Sequence, residues 1–460
     1  MLASKAVTRD RASLTLLFAR SGHYYRPDYQ TQPGRRAVVN ALIWLLVPLV
    51  FGIESPATDT LVVCPGEFRP ALVEWEKFRR GQGHQLEVVD VPASAEALKA
   101  TIRKANSAGS LQYVVIIGDA PSAGDSREVA TRSRVPTNYV PAKINVRWGP
   151  EKEIASDTPY GDVDGDGTPD VAVGRVPARS PAQLAAVCRK IIRYEQTTDH
   201  GPWEKCLNIV SGSGGFGAVA DSMIQAAGKQ VIQQTVPRDY EVHHIFNVAT
   251  SAEQSNQVDF VTRARRELAG GSLAWVYVGH GLPTQLVYAA NEQGFKSLLS
   301  SSDVPDLNCG PHPPLAVLVA CYTGAMDAPR GCLAEELLRA EEGPVAVIAA
   351  TRVTMPYGNT TMACELLRAC FRDRPTTLGD VMRLAQQRVL ATLAKEQLEK
   401  DQLRATLDGM AQLLSPPPAD LPGERREHVL MYQLIGDPLL RLHRPAAEVA
   451  QEGPTTTRVR

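Results

Sequence analysis

Two apolar runs in this sequence end on residues able to do nucleophilic chemistry. "LAWVYVGHGL" (273–282) closes on His280 and Gly281, and "LAVLVACYTG" (315–324) closes on Cys321 and a polar turn. In open parallel sheets, functional groups gather beyond the carboxyl ends of the strands, and both residues fall at that end of a predicted strand. If the strands are neighbours, imidazole and thiol face one crevice. A free thiol, with a pKa of about 8.5, is only a few per cent thiolate at neutral pH. A nearby imidazole raises that fraction and then protonates a leaving amine. Gly281 leaves room for a substrate carbonyl, and its N–H with that of Cys321 would form an oxyanion hole worth about 3–4 kcal/mol per donor. The competing reading is structural, because buried cysteines are common as small hydrophobes. Seven others are present: Cys64, Cys188, Cys206, Cys309, Cys332, Cys364 and Cys370.

A second cluster is acidic. "DVDGDGTPD" (162–170) places Asp162, Asp164, Asp166 and Asp170 together with no cation among them. Carboxylates at ~4 Å repel by about 1 kcal/mol per pair even in water. A hard divalent cation removes that cost, and alternate Asp residues with glycines at the turns are how calcium loops are built. The spacing therefore favours structural Ca2+ over the alternative, a solvated Asp/Gly turn. "GSGGFG" (212–217) fits G-x-G-x-x-G between a predicted strand and a helical pattern, the context of a dinucleotide fingerprint. The confirming acid should end the next strand, but "EVHHIF" (241–246) leads into Asn247 instead. His243 and His244 point to opposite faces of that strand, so they cannot share a metal. The remaining histidines (His23, His84, His200, His312, His428 and His443) read as scattered surface or capping residues, and Asp437 as the organiser of a "GDP" turn.

Predicted strands at 60–64, 85–91, 111–119, 206–212, 241–246, 272–279, 315–321 and 344–351 would hold these residues. Amphipathic stretches separate them at 71–81, 95–105, 182–195 and 333–341. Continuous apolar strands alternating with helices indicate mainly parallel sheet covered on both faces. The pattern breaks over 120–170, where Pro, Ser, Asn and Asp accumulate. A lobe boundary is expected near 200, giving an N-terminal α/β lobe (58–200) and a second lobe (201–444). A long helical region (376–414), a proline linker (415–423) and a last apolar segment (429–443) precede a Thr/Pro-rich tail (445–460) expected to be disordered.

The 460-residue chain is 44% hydrophobic with a formal net charge of −1, which argues against a nucleic-acid partner held through phosphates. No CxxC pair or zinc-type cysteine spacing occurs. Residues 1–36 carry seven Lys/Arg against two Asp and lead into "AVVNALIWLLVPLVFGI" (37–53), apolar apart from Asn40. That run is short for a membrane span, and with "SPA" at 55–57 it reads as a signal peptide on an exported protein. An uncleaved N-terminal anchor is the alternative. The basic lead is longer than a typical signal's, which points to a start downstream of Met1.

"GHG" closing one strand and "AC" closing a later one is similar to the arrangement in caspase-like cysteine peptidases. "VVIIGDA" (114–120), "SDTPYGDVDGDGTPDVAVGRVPA" (156–178) running into "KIIRYE" (190–195), "GCLAEELLRAEEGPVAVIAAT" (331–351) and "YQLIGDPLLRL" (432–442) resemble the gingipain branch in order. The resemblance spans 60–443. It implies a caspase-like α/β fold with two lobes and a cysteine endopeptidase cleaving peptide bonds through a thioester. By that resemblance His280 is the acid/base, Cys321 the nucleophile, Gly281 and Cys321 the oxyanion hole, and Ser213, Gly214, Gly215 and Asp221 a wall of the substrate cleft. Protein or peptide substrates, and no organic cofactor, are implied. Two departures stand out. Ser213 occupies the place of an acidic residue that supports the histidine in arginine-specific gingipains. The acid selecting a basic substrate side chain falls on Met223 or Ile224, with Asp221 close by. A catalytically inactive binding homologue and a dinucleotide enzyme using 212–217 are the two rival readings.

Overall fold

The computed structural model describes residues 57–122, 134–214, 218–247, 254–291, 294–391, 401–414 and 419–445. The basic lead, the apolar run at 37–53 and the tail from 446 onward lie outside the described residues. β1 (Thr60–Val63) is wholly buried, as its unbroken apolar run requires, and leads through α1 (Arg69–Gly81) to β2 (Leu86–Val89). α2 (Ala95–Ala105) opens on Ser94, whose hydroxyl accepts the Ala97 N–H, a standard N-cap. β3 (Tyr113–Ile117) follows, again buried throughout. The Pro- and Asn-rich segment then forms an antiparallel pair, β4 (Asn138–Pro141) with β5 (Glu153–Ser156), that strand periodicity does not reveal. β6 (Ala172–Val176) and α3 (Pro181–Gln196), capped by Ser180, complete this half.

The second half runs β7 (Cys206–Ser211), α4 (Ala218–Thr235), β8 (Glu241–Phe246), α5 (Gln254–Ala269) and β9 (Ala274–Val278). A small antiparallel sheet of β10 (His280–Leu282), β11 (Gln285–Asn291) and β12 (Gly294–Ser300) is inserted there. β13 (Leu315–Val319), α6 (Leu333–Arg339) and β14 (Ala346–Ala350) return to the main sheet. Helices α7 (Pro356–Arg368), α8 (Leu378–Leu390), α9 (Gln402–Leu414) and α10 (Leu421–Met431) then lead to β15 (Tyr432–Ile435).

The segments expected as two lobes meet in a single ten-stranded sheet of order β2-β1-β3-β6-β15-β14-β13-β9-β7-β8. β15 is parallel to β6 and antiparallel to β14, while every other neighbouring pair is parallel. The sheet is therefore two five-stranded parallel blocks running in opposite senses. In each block the first strand in the chain lies between the second and third, so the winding reverses at β1/β3 and at β7/β9. Such reversal points open a crevice at the carboxyl ends of the strands.

Buried polar groups lock the halves together. The Asp437 carboxylate accepts the Trp75 indole N–H (2.6 Å) and the Arg79 guanidinium (2.7 Å), while its other oxygen accepts the Leu439 N–H (2.9 Å). Asp437 thus organises its turn, as expected, and also anchors α1. Arg79 reaches Glu195 as well (2.7 Å), at the end of α3. Arg175, fully buried on β6, pairs with Asp157 and donates to the Gly118 and Val135 carbonyls, so its charge is completely solvated by protein.

Candidate active site

β9 and β13 are adjacent and in register, with Val278 opposite Val319. His280 and Cys321 each lie two residues beyond that pair, so both emerge at the same carboxyl edge. The Gly279 N–H donates to the Val319 carbonyl (3.2 Å), which extends the pairing to the doorstep of the histidine. A Cβ placed on Gly281 would come 2.5 Å from the Cys321 carbonyl oxygen and 2.9 Å from Ala320 Cβ. Only a glycine lets the His280–Gly281 strand lie this close to the Ala320–Cys321 peptide.

The imidazole is oriented across the β7/β9 reversal. His280 Nε2–H donates to the Gly214 carbonyl (2.9 Å), just past β7, so in the neutral ring Nδ1 is the lone-pair nitrogen. That contact supports the ring through a backbone carbonyl. Ser213 contributes structure instead: its N–H and hydroxyl both donate to the Tyr288 carbonyl (2.9 and 3.1 Å), tying the loop to β11. Asp221, in the first turn of α4, packs its carboxylate on Gly214, where an added Cβ would meet Oδ1 at 2.3 Å. Ser213, Gly214 and Asp221 are thus gathered on the histidine side of the crevice; Gly215 lies outside the described residues. The Gly-rich loop thus engages His280 through its Gly214 carbonyl.

The nucleophile candidate sits on a pinned turn. Tyr322, immediately after Cys321, adopts φ 60°, a left-handed conformation uncommon for a residue with a Cβ. Its N–H donates to the Arg352 carbonyl (3.1 Å), and the Gly324 N–H donates to the Ala350 carbonyl (2.8 Å). Arg352 in turn makes a bidentate pair with Asp327 (2.9 and 2.8 Å). The Cys321 sulfur accepts the Thr354 N–H at 3.3 Å. Asn359 and Tyr432 extend that contact, since Asn359 donates to the Thr354 hydroxyl (2.9 Å) and Tyr432 donates to Asn359 (2.7 Å). Neighbouring strand ends of β9, β13 and β14 therefore supply the histidine, the cysteine and the threonine.

All eight cysteines are free, and Cys321 is half-buried at the crevice. Burial pushes the thiols of Cys64, Cys188, Cys309 and Cys364 up to about 12 and that of Cys206 to about 11. Cys332 and Cys370 are raised by burial too. Seven thiols are thereby held protonated, the packing role of small hydrophobes.

One wall of the site was not legible in the sequence. The Tyr322 hydroxyl donates to Glu151 (2.8 Å), and Gly149 packs against both, so the segment ahead of β5 borders the turn that carries Cys321. Trp148 in that segment is 53% exposed, an unusual place for an indole. Glu427 holds the segment by accepting the consecutive N–H groups of Lys143, Ile144 and Asn145 (2.5, 2.8 and 2.6 Å).

The acidic loop stands apart from the crevice. Ligand atoms of Asp162, Asp164 and Asp166 lie within 4.8 Å of one another, and Asp170 accepts the Val163 N–H (3.2 Å). Gly165 and Gly167, with φ of 87° and 86°, let the loop curl around the three carboxylates. Burial and the charges of Asp164 and Asp166 raise the Asp170 carboxyl above its ordinary value. The loop enters β6, whose sense is reversed, so it shares a rim with His280 and Cys321 but lies three strand positions from β13.

A family model described as peptidase family C25 matches residues 53–443. The chain belongs to peptidase family C25. Among curated proteins it is similar to Lys-gingipain of Porphyromonas gingivalis, 22% identical over 335 residues. That match takes in 70% of this chain but 17% of the relative, so the chain spans about a sixth of the length of the curated relatives it matches. Among solved structures, the Arg-specific cysteine proteinase gingipain R superposes with a TM-score of 0.58 at 19% identity, covering 85% of this chain and 79% of that one. The complex of the pro- and mature domains of RgpB from Porphyromonas gingivalis gives 0.58, covering 83% and 79%. The fold of this C25 member is accordingly the caspase-like α/β fold of the gingipain structures.

Proposed function

We propose that this C25 family member is a cysteine endopeptidase in which Cys321 is the nucleophile and His280 the acid/base. The observation that carries the reading is the placement of His280 and Cys321 at one edge of adjacent strands, with the ring oriented by the Gly214 carbonyl (2.9 Å). In this scheme His280 Nδ1 takes the thiol proton as the sulfur attacks the scissile carbonyl. The N–H groups of Gly281 and Cys321 receive the developing oxyanion. The same Nδ1 proton passes to the leaving amine, releasing one peptide and leaving a thioester on Cys321. Water, deprotonated by Nδ1, then hydrolyses the thioester and restores the thiol.

Structural Ca2+ at Asp162, Asp164, Asp166 and Asp170 belongs to the same proposal, supported by the clustering of three of those carboxylates. The ion would neutralise the loop that feeds β6. Protein or peptide substrates follow from the proposed peptidase activity. Export is proposed from the basic lead and the apolar run at 37–53. Among the described residues no helix is long and apolar enough to cross a membrane.

The test is labelling by a mixture of peptidyl acyloxymethyl ketones, with and without calcium, the modified residue located by mass spectrometry. Modification confined to Cys321 and lost in His280→Ala is expected, and the preferred probe reports specificity. If Cys321 stays unmodified while a small alkylator reacts with the protein, the inactive binding homologue replaces this reading.

A further inference from the structure

Histidines far apart in the sequence meet on the edge of the sheet opposite the crevice. His200 and Glu204 lie just before β7, and His443 follows β15. One ligand atom from each lies within 4.8 Å of the other two. His200 Nδ1 is 2.7 Å and His443 Nδ1 3.3 Å from the same oxygen, Glu204 Oε1. We propose that His200, Glu204 and His443 form a binding site for a divalent transition-metal ion of the zinc class, clamping the segment after β15 to the turn that starts β7.

The tautomer of His443 carries the argument. Its Nε2–H donates to the Tyr194 carbonyl at 2.8 Å, so in the neutral ring Nδ1 presents a lone pair to a carboxylate oxygen. Two acceptors at 3.3 Å need a cation between them, either a second proton on the ring or a metal. A backbone carbonyl on the far nitrogen is the usual support of a ligating histidine. The ring is also held edge-on by Tyr194 (5.0 Å, 81°) and flanked by Trp203 (5.4 Å). Metal–nitrogen and metal–oxygen bonds of about 2.0–2.2 Å in a tetrahedral site put ligands about 3.3 Å apart, the spacing already present between His443 and Glu204. Their side chains are 13% and 10% exposed and pre-positioned, while that of His200 is 65% exposed. The exposed ring can swing by the fraction of an ångström the ion needs, and its side of the site supplies the entry path and a water position. Two imidazoles and one carboxylate are a donor set that suits zinc better than calcium.

The experiment uses the Cys321→Ala chain, stripped with a chelator and held in excess calcium, so that neither the proposed dyad nor the acidic loop competes. ZnCl2 is titrated in by calorimetry, with Tm measured in parallel. One equivalent with a Kd below about 10 μM and a raised Tm are expected. Binding should vanish in His443→Ala, weaken at least about ten-fold in His200→Ala, and persist in His243→Ala, which removes a histidine lying between Glu241 and Glu267. His200 is mostly exposed, so His200→Ala keeps the test decisive even if His443→Ala fails to fold. No saturable heat and no Tm shift up to about 100 μM zinc, or binding unchanged in His200→Ala and His443→Ala, would overturn the proposal and leave a protonated His443–Glu204 pair.

Discussion

Gly281→Ala isolates the oxyanion hole from the rest of the proposed machinery. The added methyl would sit 2.5 Å from the Cys321 carbonyl oxygen, 2.7 Å from Thr323 Cγ2 and 2.9 Å from Ala320 Cβ. A carbon rests about 3.3 Å or more from a carbonyl oxygen, so about 0.8 Å must come from movement of backbone. The neighbours are short and themselves pinned, and no flexible side-chain end absorbs the clash. The strand carrying the Gly281 N–H recedes, and a donor displaced by that much is nearly a donor lost. Losing one oxyanion donor costs about 10²–10³-fold in rate, about 3–4 kcal/mol. Overpacking adds about 1–3 kcal/mol of lost stability, which Tm reports separately. The assay is kcat/KM on a fluorogenic peptide chosen from the labelling profile, with alkylation of Cys321 by iodoacetamide as the control. Alkylation needs the sulfur but no oxyanion hole, so its rate should stay within about three-fold. A Gly281→Ala protein with kcat/KM within about five-fold of the parent would refute the assignment. So would an alkylation rate that falls as far as turnover, because the damage would then lie in the dyad.

Three further outcomes follow from titratable groups elsewhere in the fold. His428 is fully buried; its ring accepts the Met355 N–H (3.0 Å) and donates to the Glu424 carbonyl (2.7 Å), and burial lowers it from 6.5 to about 4. Between those values the unfolded chain takes up the proton that the folded chain refuses, so stability falls as pH drops through that window, by up to about 3 kcal/mol; urea midpoints at pH 7 and pH 4.5 should show the loss, and His428→Gln should flatten it. Asp437→Asn strips the main partner of the buried Arg79 guanidinium and should cost about 3–5 kcal/mol in urea unfolding, whereas a change below about 1 kcal/mol would show that Glu195 suffices. Adding millimolar CaCl2 should raise Tm, by about 2.7 kcal/mol of stabilisation at 100 times Kd, and Asp164→Asn should abolish the rise; equal shifts in both proteins would locate calcium elsewhere.

The parts of this molecule that sequence reading reached are those with a local signature. The apolar runs ending at His280 and Cys321 are parallel strands because both their faces are covered, and the residue type at the exit is visible in the string itself. The Gly214 carbonyl could be anticipated only in kind, since Ser213 offers no acid to hold the ring and leaves a backbone carbonyl or water for that task. β4 and β5 escaped because they are four-residue strands among prolines and asparagines, held by long-range contacts such as the Thr351 hydroxyl on the Ala155 carbonyl (2.8 Å). β10–β12 escaped because a small antiparallel sheet stabilised by pairing needs no long apolar run. The meeting of His200 with His443 depends on where β15 is inserted, and nothing near either histidine encodes that. Glu427 falls between the proline linker and the last apolar segment, and nothing in the string marks the three N–H groups it accepts.

The position of β15 turns the order of synthesis into an order of assembly. It fills the slot between β6 and β14, yet it is made about 80 residues after β14. At about 5–20 residues per second a ribosome takes several seconds over that stretch. Until β15 is made, β6 and β14 have no strand between them, so half-sheets formed by then would carry bare inner edges, a state open to false pairing. Tyr432, which steadies Asn359 and through it Thr354 beside the Cys321 sulfur, arrives on the strand that ends it. Closing the sheet and furnishing the crevice are thus one event, and a nascent chain carries its thiol some time before that thiol has its full surroundings.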